Sequence, residues 1–460
     1  MPSKARMRTR LPHSSIETGA VPDLAECRNT TIDNALRDAE GRFIAANPKS
    51  LAHYDAAQAH LPGGNTRTNM YFSPFPLTIM RGEGAQLYDL DGHAYLDFLG
   101  EYTAGIFGHS DARIRAAIIE ALDKGINLGG PNQWEAELGR LMCERFLSLD
   151  KVRFCNSGTE ANLYAISAAR ASTARTHVMV FEGAYHGGVL SFVKASPMTA
   201  PFPYILAQYN DLDGTAALIS RHHNELAAVL LEPMMGSGGG ISADREFLAM
   251  LREETRRYGI ILIFDEVMTS RLSPGGLQEK LGIFPDMSSF GKYLGGGLTF
   301  GAFGGRDAIM RRFNPSETDA FVHSGTYNNN TLTMAAGVVA LREVYTPEAA
   351  DNLNARGDRL RERMNEVFHR HGVAMQMLGQ GSLNVIHVHG RPVRRPADIT
   401  NDPKVQALFH LEMLERGIYL ARRGLSALCL PLEDKDVDRF VQAVDDFCQV
   451  YRPLLLDAEA

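Results

Sequence analysis

The chain is poor in the features that would commit it early to a specialised class. Its five cysteines, Cys27, Cys143, Cys155, Cys429 and Cys448, are scattered, odd in number and never in a C-x-x-C pair. Neither a disulfide framework nor a metal site is indicated, and a reducing compartment, the cytoplasm, is expected. No apolar run reaches the about 18 residues of a membrane span, and the N-terminus lacks the apolar core of a secretory signal. Lys4, Arg6, Arg8 and Arg10 make a basic start of the organellar kind, but Pro12, Glu17, Asp23 and Glu26 favour a disordered tail over residues 1–30. Positive charge is not in excess: 47 Lys and Arg stand against 54 Asp and Glu, which leaves no electrostatic footprint for nucleic acid. There is no internal repeat. No G-x-G-x-x-G lies between an early strand and its helix with a ribose-binding acid behind it, so a nucleotide-binding reading is weak. Lysine is scarce as well, with nine residues against 38 arginines.

What is present fills more than one core: 460 residues predict a large domain and a smaller one. From Asp33 to His60 the apolar spacing predicts helix interrupted at Pro48, and Leu61-Pro-Gly-Gly-Asn65 breaks it, leaving a loop that carries Arg67. Two alternating segments around Asp91-Gly92, within 86–98, predict a β-hairpin entering the large domain. Between 110 and 340, strand-like runs (Val152–Cys155, Val178–Phe181, Ala228–Leu231, Ile260–Phe264, Ala302–Gly304) alternate with helical ones (Ala112–Leu122, Ala161–Ala171, Phe247–Tyr258). Such alternation predicts an α/β sheet covered on both faces, with ligands at the carboxyl ends of its strands. A long helix from Ala335 through Arg370, strands at Ser382–Val388 and Leu425–Leu430, and an amphipathic helix Asp436–Tyr451 predict an α+β C-terminal part. The expected division is 31–85 as an N-terminal segment of the small domain, 86–335 as the large domain and 336–460 as the C-terminal small domain.

The chemistry gathers at the strand ends. Asp265 closes an apolar strand, and Lys292, 27 residues on, is alone among the lysines in having neighbours small enough for a flat ligand to approach. A buried carboxylate is costly unless it meets a cation such as a pyridinium N–H, and a lysine can form an imine; a pyridoxal phosphate (PLP) enzyme needs that pair. A surface lysine beside a turn is the plainer alternative for Lys292 taken alone. Ser157-Gly158-Thr159-Glu160 follows a strand and opens a helix. It reads either as a capping box or as a phosphate site at a helix N-terminus, and the lysine and aspartate downstream favour the phosphate. Tyr185, in Gly183–Gly188, is a turn aromatic or a ring that stacks on the cofactor; His186 beside it reads as a supporting residue rather than a base. Glu232 ends another strand and is a candidate to organise the cofactor's polar edge. The cluster Gly236–Gly240 reads as an ordinary loop.

These segments in this order resemble the class III (ω-type) aminotransferases of PLP fold type I, from about residue 50 onward: Tyr88–Gly92, Asn156–Ala161, Tyr185–Gly187, Phe264–Val267, Gly291–Gly297 and His323–Thr326. The resemblance implies a large domain with a mostly parallel seven-stranded sheet and a smaller α+β domain from the two chain ends. It implies Lys292 as the Schiff-base lysine and proton shuttle, Asp265 as the pyridinium partner, and Tyr185 and Val267 on the two ring faces. Ser157, Gly158 and Thr159 would form the phosphate cup, and Thr326 would reach the phosphate of a neighbouring subunit in a homodimer.

Phe181–Gly187 and Phe264–Thr269 resemble glutamate-1-semialdehyde aminomutases. Leu61–Arg67, Phe75–Gly84, Glu101–Gly105, Gly187–Leu190, Met268–Leu272 and Ser324–Asn330 resemble more closely the bacterial β-amino acid (β-phenylalanine) aminotransferases. In that group two arginines receive carboxylates, and the matching positions are Arg67 and Arg423, with Arg422 beside the latter. Two separated guanidiniums suit an enzyme that binds a donor and an acceptor in turn, since each can take a carboxylate through paired hydrogen bonds. The expected activity is ping-pong transfer of an amino group from a β-amino acid to a 2-oxo acid such as 2-oxoglutarate or pyruvate. Its rivals are an aminomutase, and an ω-amine or α-amino acid transaminase.

Overall fold

Helices Ile32–Ala46 and Pro48–Ala57 meet at Asn47, so Pro48 begins a new helix instead of bending an old one. Proline suits that first position because its missing N–H has no intrahelical partner there. The computed structural model describes residues 31–456; the tail expected at 1–30 lies outside them.

Strands β1 (Ile79–Glu83), β2 (Gln86–Asp89) and β3 (Ala94–Asp97) pair antiparallel in sequence order. The expected hairpin is therefore β2–β3, closed by Asp89 Oδ1 accepting from Gly92 N at 2.7 Å and His93 N at 2.8 Å.

The large sheet takes β4 (Lys151–Cys155), β5 (His177–Phe181), β6 (Tyr204–Ala207) and β7 (Leu226–Leu231). After a small hairpin of β8 (Met234–Met235) and β9 (Ile241–Ser242) come β10 (Ile261–Asp265), β11 (Met287–Gly291) and β12 (Gly301–Gly305). Their order is β4-β12-β11-β10-β7-β5-β6, seven strands of which β12 alone runs against its neighbours. This is the mostly parallel seven-stranded α/β sheet the resemblance implies. Two of its strands carry no clear signal in the sequence. β6 is a four-residue edge strand, and β11 has Ser288 and Ser289 where a buried strand usually has apolar residues. Their hydroxyls are answered inside, by Ser148 Oγ at 2.9 Å and Asn162 Oδ1 at 2.5 Å.

The single helix predicted from Ala335 to Arg370 is two, Thr331–Val339 and Pro347–His371, joined through a π turn and an extended Thr346. Pro347 cannot donate the N–H that a continuous helix requires, and Thr346 caps the new start by accepting from Ala349 N at 3.2 Å. Then follow β13 (Gln376–Gln380), β14 (Leu383–His387), β15 (Ile418–Tyr419) and β16 (Leu425–Ala427). β13, β14 and β16 form a three-stranded sheet, and β16 ends at Ala427, short of the predicted Leu430. β15 lies parallel to β3, giving the order β1-β2-β3-β15, so the hairpin belongs to a sheet shared by both ends of the chain and not to the seven-stranded one. The closing helix is Asp434–Tyr451. Among the described residues no helix is long and apolar enough to cross a membrane.

Candidate active site

Asp265 is the last residue of β10, every residue of which is buried. It pairs in register with Ser289 of β11, so the turn that follows β11 opens beside it. Lys292 sits in that turn at φ 58°, a left-handed conformation that costs a residue with a Cβ about 1–2 kcal/mol. Burial pushes its amine down to about 8, while Asp265 pulls it back up and Arg423 pushes further down. Among the described residues the amine makes no hydrogen bond or ion pair.

Asp265 is held from two directions. Its Oδ2 accepts from Asn162 Nδ2 at 2.8 Å and faces His186 Nδ1 at 2.8 Å, and its Oδ1 accepts from Val267 N at 3.0 Å. Asn162 is fixed in turn by Ser289 Oγ and by donating to His186 O at 3.0 Å. The opposite nitrogen of His186, Nε2, is buried with no hydrogen-bond partner among the described residues.

The segment after β4 caps a helix, as one of the two readings of its sequence expects. Ser157 caps the helix Gly158–Thr173 by accepting from Glu160 N at 3.2 Å, while Glu160 Oε2 accepts from Asn156 N at 2.8 Å. Gly158 and Thr159 line a cavity at the positive end of that helix, where first-turn N–H groups lack intrahelical partners. Backbone passes too close here for side chains. A Cβ on Gly158 would lie 2.8 Å from Val267 Cγ2, and one on Gly187 would lie 2.2 Å from Thr159 Oγ1.

Glu232, buried at the end of β7, joins two loops. Its Oε1 accepts from Tyr185 N and its Oε2 from Gly236 N, both at 3.0 Å. Burial raises its carboxyl to about 7; His186 and the two backbone donors oppose this, and Asp265 adds to it.

Arg67 and Arg423 approach one aromatic ring, their guanidinium carbons 5.5 and 5.7 Å from the centroid of Tyr102. Arg67 Nη1 pairs with Glu101 Oε1 at 2.6 Å. Arg423 donates to Ser237 Oγ at 3.4 Å and keeps an enclosed Nε without a partner among the described residues. Burial pushes its guanidinium down, and Tyr102 is the largest influence in the other direction.

Most of the residues singled out in the sequence line one cavity of about 580 Å³: Arg67, Ser157, Gly158, Thr159, Tyr185, His186, Glu232, Asp265, Val267, Lys292 and Arg423. Thr326 is exposed and does not line it, and neither does Arg422. The same wall also holds residues to which the sequence gave no role, among them Asn162, Tyr102, Asn69 and, from the cluster read as an ordinary loop, Ser237. The run of small residues at 236–240 was the signal for the last, and Tyr102 lies in Glu101–Gly105, one of the segments that carry the resemblance.

Residues 69–446 match the family Aminotransferase class-III. The chain is 49% identical over 429 residues to the beta-phenylalanine transaminase of Variovorax paradoxus, covering 93% of this chain and 99% of that one. It superposes on the crystal structure of a beta-phenylalanine aminotransferase from that organism with a TM-score of 0.92, over 93% of this chain and all (100%) of that one. A glutamate-1-semialdehyde 2,1-aminomutase from Syntrophomonas wolfei is 34% identical over 423 residues, 87% of this chain and 98% of the relative. A solved transaminase with PLP bound is 31% identical with a TM-score of 0.82, over 88% and 99% of the two chains. The chain belongs to the class III aminotransferases. It is a PLP-dependent transaminase.

The residues fit that cofactor. Asp265 is a buried carboxylate aimed from a strand end, of the kind that holds a proton on a ring nitrogen, and Lys292 presents an amine engaged by no other group among the described residues. The backbone at Gly158 and Gly187 comes close where a flat, phosphorylated group needs room.

Proposed function

We propose that the chain moves the amino group of a β-amino acid of the β-phenylalanine kind to a 2-oxo acid such as 2-oxoglutarate or pyruvate. The observation that carries this reading is the pair of guanidiniums, Arg67 and Arg423, in the same cavity as Lys292. A monocarboxylic α-amino acid or a simple amine needs at most one such partner. A donor whose carboxylate lies one carbon farther from its amine, alternating with a 2-oxo acid, has use for two. The likeness to the Variovorax transaminase supports the same substrate class.

PLP, when bound, supplies the electron sink that makes the carbon bearing nitrogen acidic. Lys292 would hold the cofactor and move the proton at that carbon through Nζ; an amine near 8 in the cofactor-free chain is matched to this work around neutral pH. Asp265 keeps the proton on the ring nitrogen, with His186 and Asn162 keeping the carboxylate in place. Val267 and Tyr185 bound the two ring faces, Ser157, Gly158 and Thr159 take the phosphate at the helix N-terminus, and Glu232 braces the Tyr185 loop. Arg67 and Arg423 orient the carboxylates of the two substrates.

The same reading includes a cytoplasmic homodimer in which Thr326 reaches the neighbouring subunit's phosphate site. The exposure of Val322, Thr326 and Tyr327 supports it. It also divides the chain into a large domain, 86–335, that carries the cofactor residues, and a smaller one from 31–85 and 336–460 that carries both arginines. Half-reaction spectra with (R)- and (S)-β-amino acids, α-amino acids and ω-amines test the reading: β-amino acids should convert the cofactor to its amine form. Reaction with α-amino acids or amines alone would overturn it. An aminomutase would turn over without an added 2-oxo acid, and this enzyme should require one.

A further inference from the structure

Gly100, Glu101, Tyr102 and Thr103 follow one another at positive φ, 53°, 48°, 52° and 83°. Only the first is glycine, and the other three hold a conformation that side-chain-bearing residues adopt at a cost. Such strain persists where the surroundings over-determine it, and it clusters at ligand clamps. Here Asp97 Oδ1 accepts from Leu99 N and Gly100 N, both at 2.9 Å, and Gly100 O accepts from Gly105 N at 2.8 Å. The fully buried Arg271 donates from Nη1 to Thr103 O at 3.2 Å. The turn is pinned at both ends, and the consequence falls on its middle. Tyr102 stands in the cavity wall with its hydroxyl donating to Asn69 O, and Glu101 reaches Arg67.

The two arginines are thus unequal. Arg67 carries a carboxylate of the chain itself, whereas Arg423 has no ion pair among the described residues. Arg67 lines the cavity and Glu101 does not, so the pair is made from outside the space a substrate would fill. Nε of Arg67 is also engaged, by Met70 Sδ at 3.1 Å. A bidentate grip on an incoming carboxylate needs two parallel N–H groups, and Nη1 is held by Glu101.

We propose that Glu101 is an internal competitor for Arg67: its carboxylate occupies the guanidinium in the substrate-free enzyme and is displaced by the carboxylate of the substrate. Glu101 is then a specificity-determining residue. It weakens the binding of acids at Arg67, and it keeps that cation neutralised when a substrate without a carboxylate enters. The inference rests on the reading of Arg67 as a substrate-binding residue. Because both side chains are about half exposed, the pair is of the weak kind, and its removal should be worth about two- to fivefold in affinity.

The test is Glu101→Gln, which keeps the size and removes the charge, with Glu101→Gly as a second variant that suits the positive φ and folds without the strain. Calorimetric titration of the holoenzyme with 3-phenylpropanoate, a carboxylate without an amine, should give a Kd about two- to fivefold lower in both variants than in the parent. The KM of the substrate that Arg67 receives should fall alongside, and that of 1-phenylethylamine should rise. In an Arg67→Met background Glu101→Gln should change nothing. An unchanged Kd in both variants, or the same fall without Arg67, overturns the proposal. If the parent converts no β-amino acid while Glu101→Gln still tightens 3-phenylpropanoate through Arg67, the substrate assignment fails and the competitor stands.

Discussion

His186 Nδ1 lies 2.8 Å from Asp265 Oδ2, and both side chains are buried. The histidine holds the carboxylate proposed to hold the cofactor's ring. In that proposal it acts on the reaction at one remove, through Asp265 Oδ2. Replacing it by phenylalanine keeps the ring's bulk and removes one hydrogen bond to a buried charge. Such bonds are worth about 1.5–3 kcal/mol, so kcat should fall about tenfold to a hundredfold. Steady-state kinetics with saturating PLP would check this, and an unchanged kcat would mean that Asn162 and Val267 N suffice to hold Asp265.

Lys292→Ala removes both the anchor and the proton carrier. Turnover should drop by about a thousandfold or more, the absorbance band of covalently held cofactor should vanish, and borohydride should no longer fix the cofactor to the protein. Retained catalysis would remove the basis of the assignment.

The arginines can be separated by KM. Arg67→Met and Arg423→Met each leave a substrate carboxylate without its partner, a loss of about thirtyfold or more in affinity at the more enclosed Arg423 and a smaller one at the half-exposed Arg67. The two variants should divide between donor and acceptor: each raises one KM far more than the other. Arg422→Met, outside the cavity, should leave both KM values near the parent's.

Two buried groups give opposite pH signatures in the cofactor-free protein. The free amine is what attacks the PLP aldehyde, so the rate of reconstitution should climb with pH and level off above about 8, where an ordinary lysine would still be climbing. Glu232 works the other way on stability. Its folded pKa, near 7, stands above the unfolded carboxyl's, so between about 4.5 and 7 the folded state binds the extra proton. Its contribution is intact below that window and is lost as pH rises through 7. The melting temperature of the cofactor-free protein should therefore show a decline across that window, and Glu232→Gln should remove it.

Lys292 and Asp265 were legible in the sequence because each stands at a chemical discontinuity, a charge closing an apolar strand or a lone lysine among glycines. The segment Ser157–Glu160 was legible because one short motif carries the signal of a helix cap, and its residues line the cavity. β11 was hidden because its buried face uses hydroxyls, and hydroxyls satisfied by distant partners such as Ser148 and Asn162 look polar until the partners are known. The break at Pro347 was available in principle; the apolar spacing on both sides carried the helix across it. Glu101 and Tyr102 were out of reach for another reason. Their left-handed turn is imposed from Asp97 and Arg271, far apart in the chain, and three of its four residues have no local preference for it.

The pairing of β15 with β3 sets an order of events during synthesis. Residues 94–97 leave the ribosome some three hundred positions before Ile418 and Tyr419, their parallel neighbours. The seven-stranded sheet can close meanwhile, because β12 completes it by Gly305. A nascent chain interrupted there would have the residues proposed to hold PLP within one subunit, while Thr326 and Arg423 would not yet exist and the strand beside β3 would be missing. The two arginines proposed to bind carboxylates are thus made at opposite ends of synthesis, and fragments released early would carry Arg67 and Glu101 without Arg423.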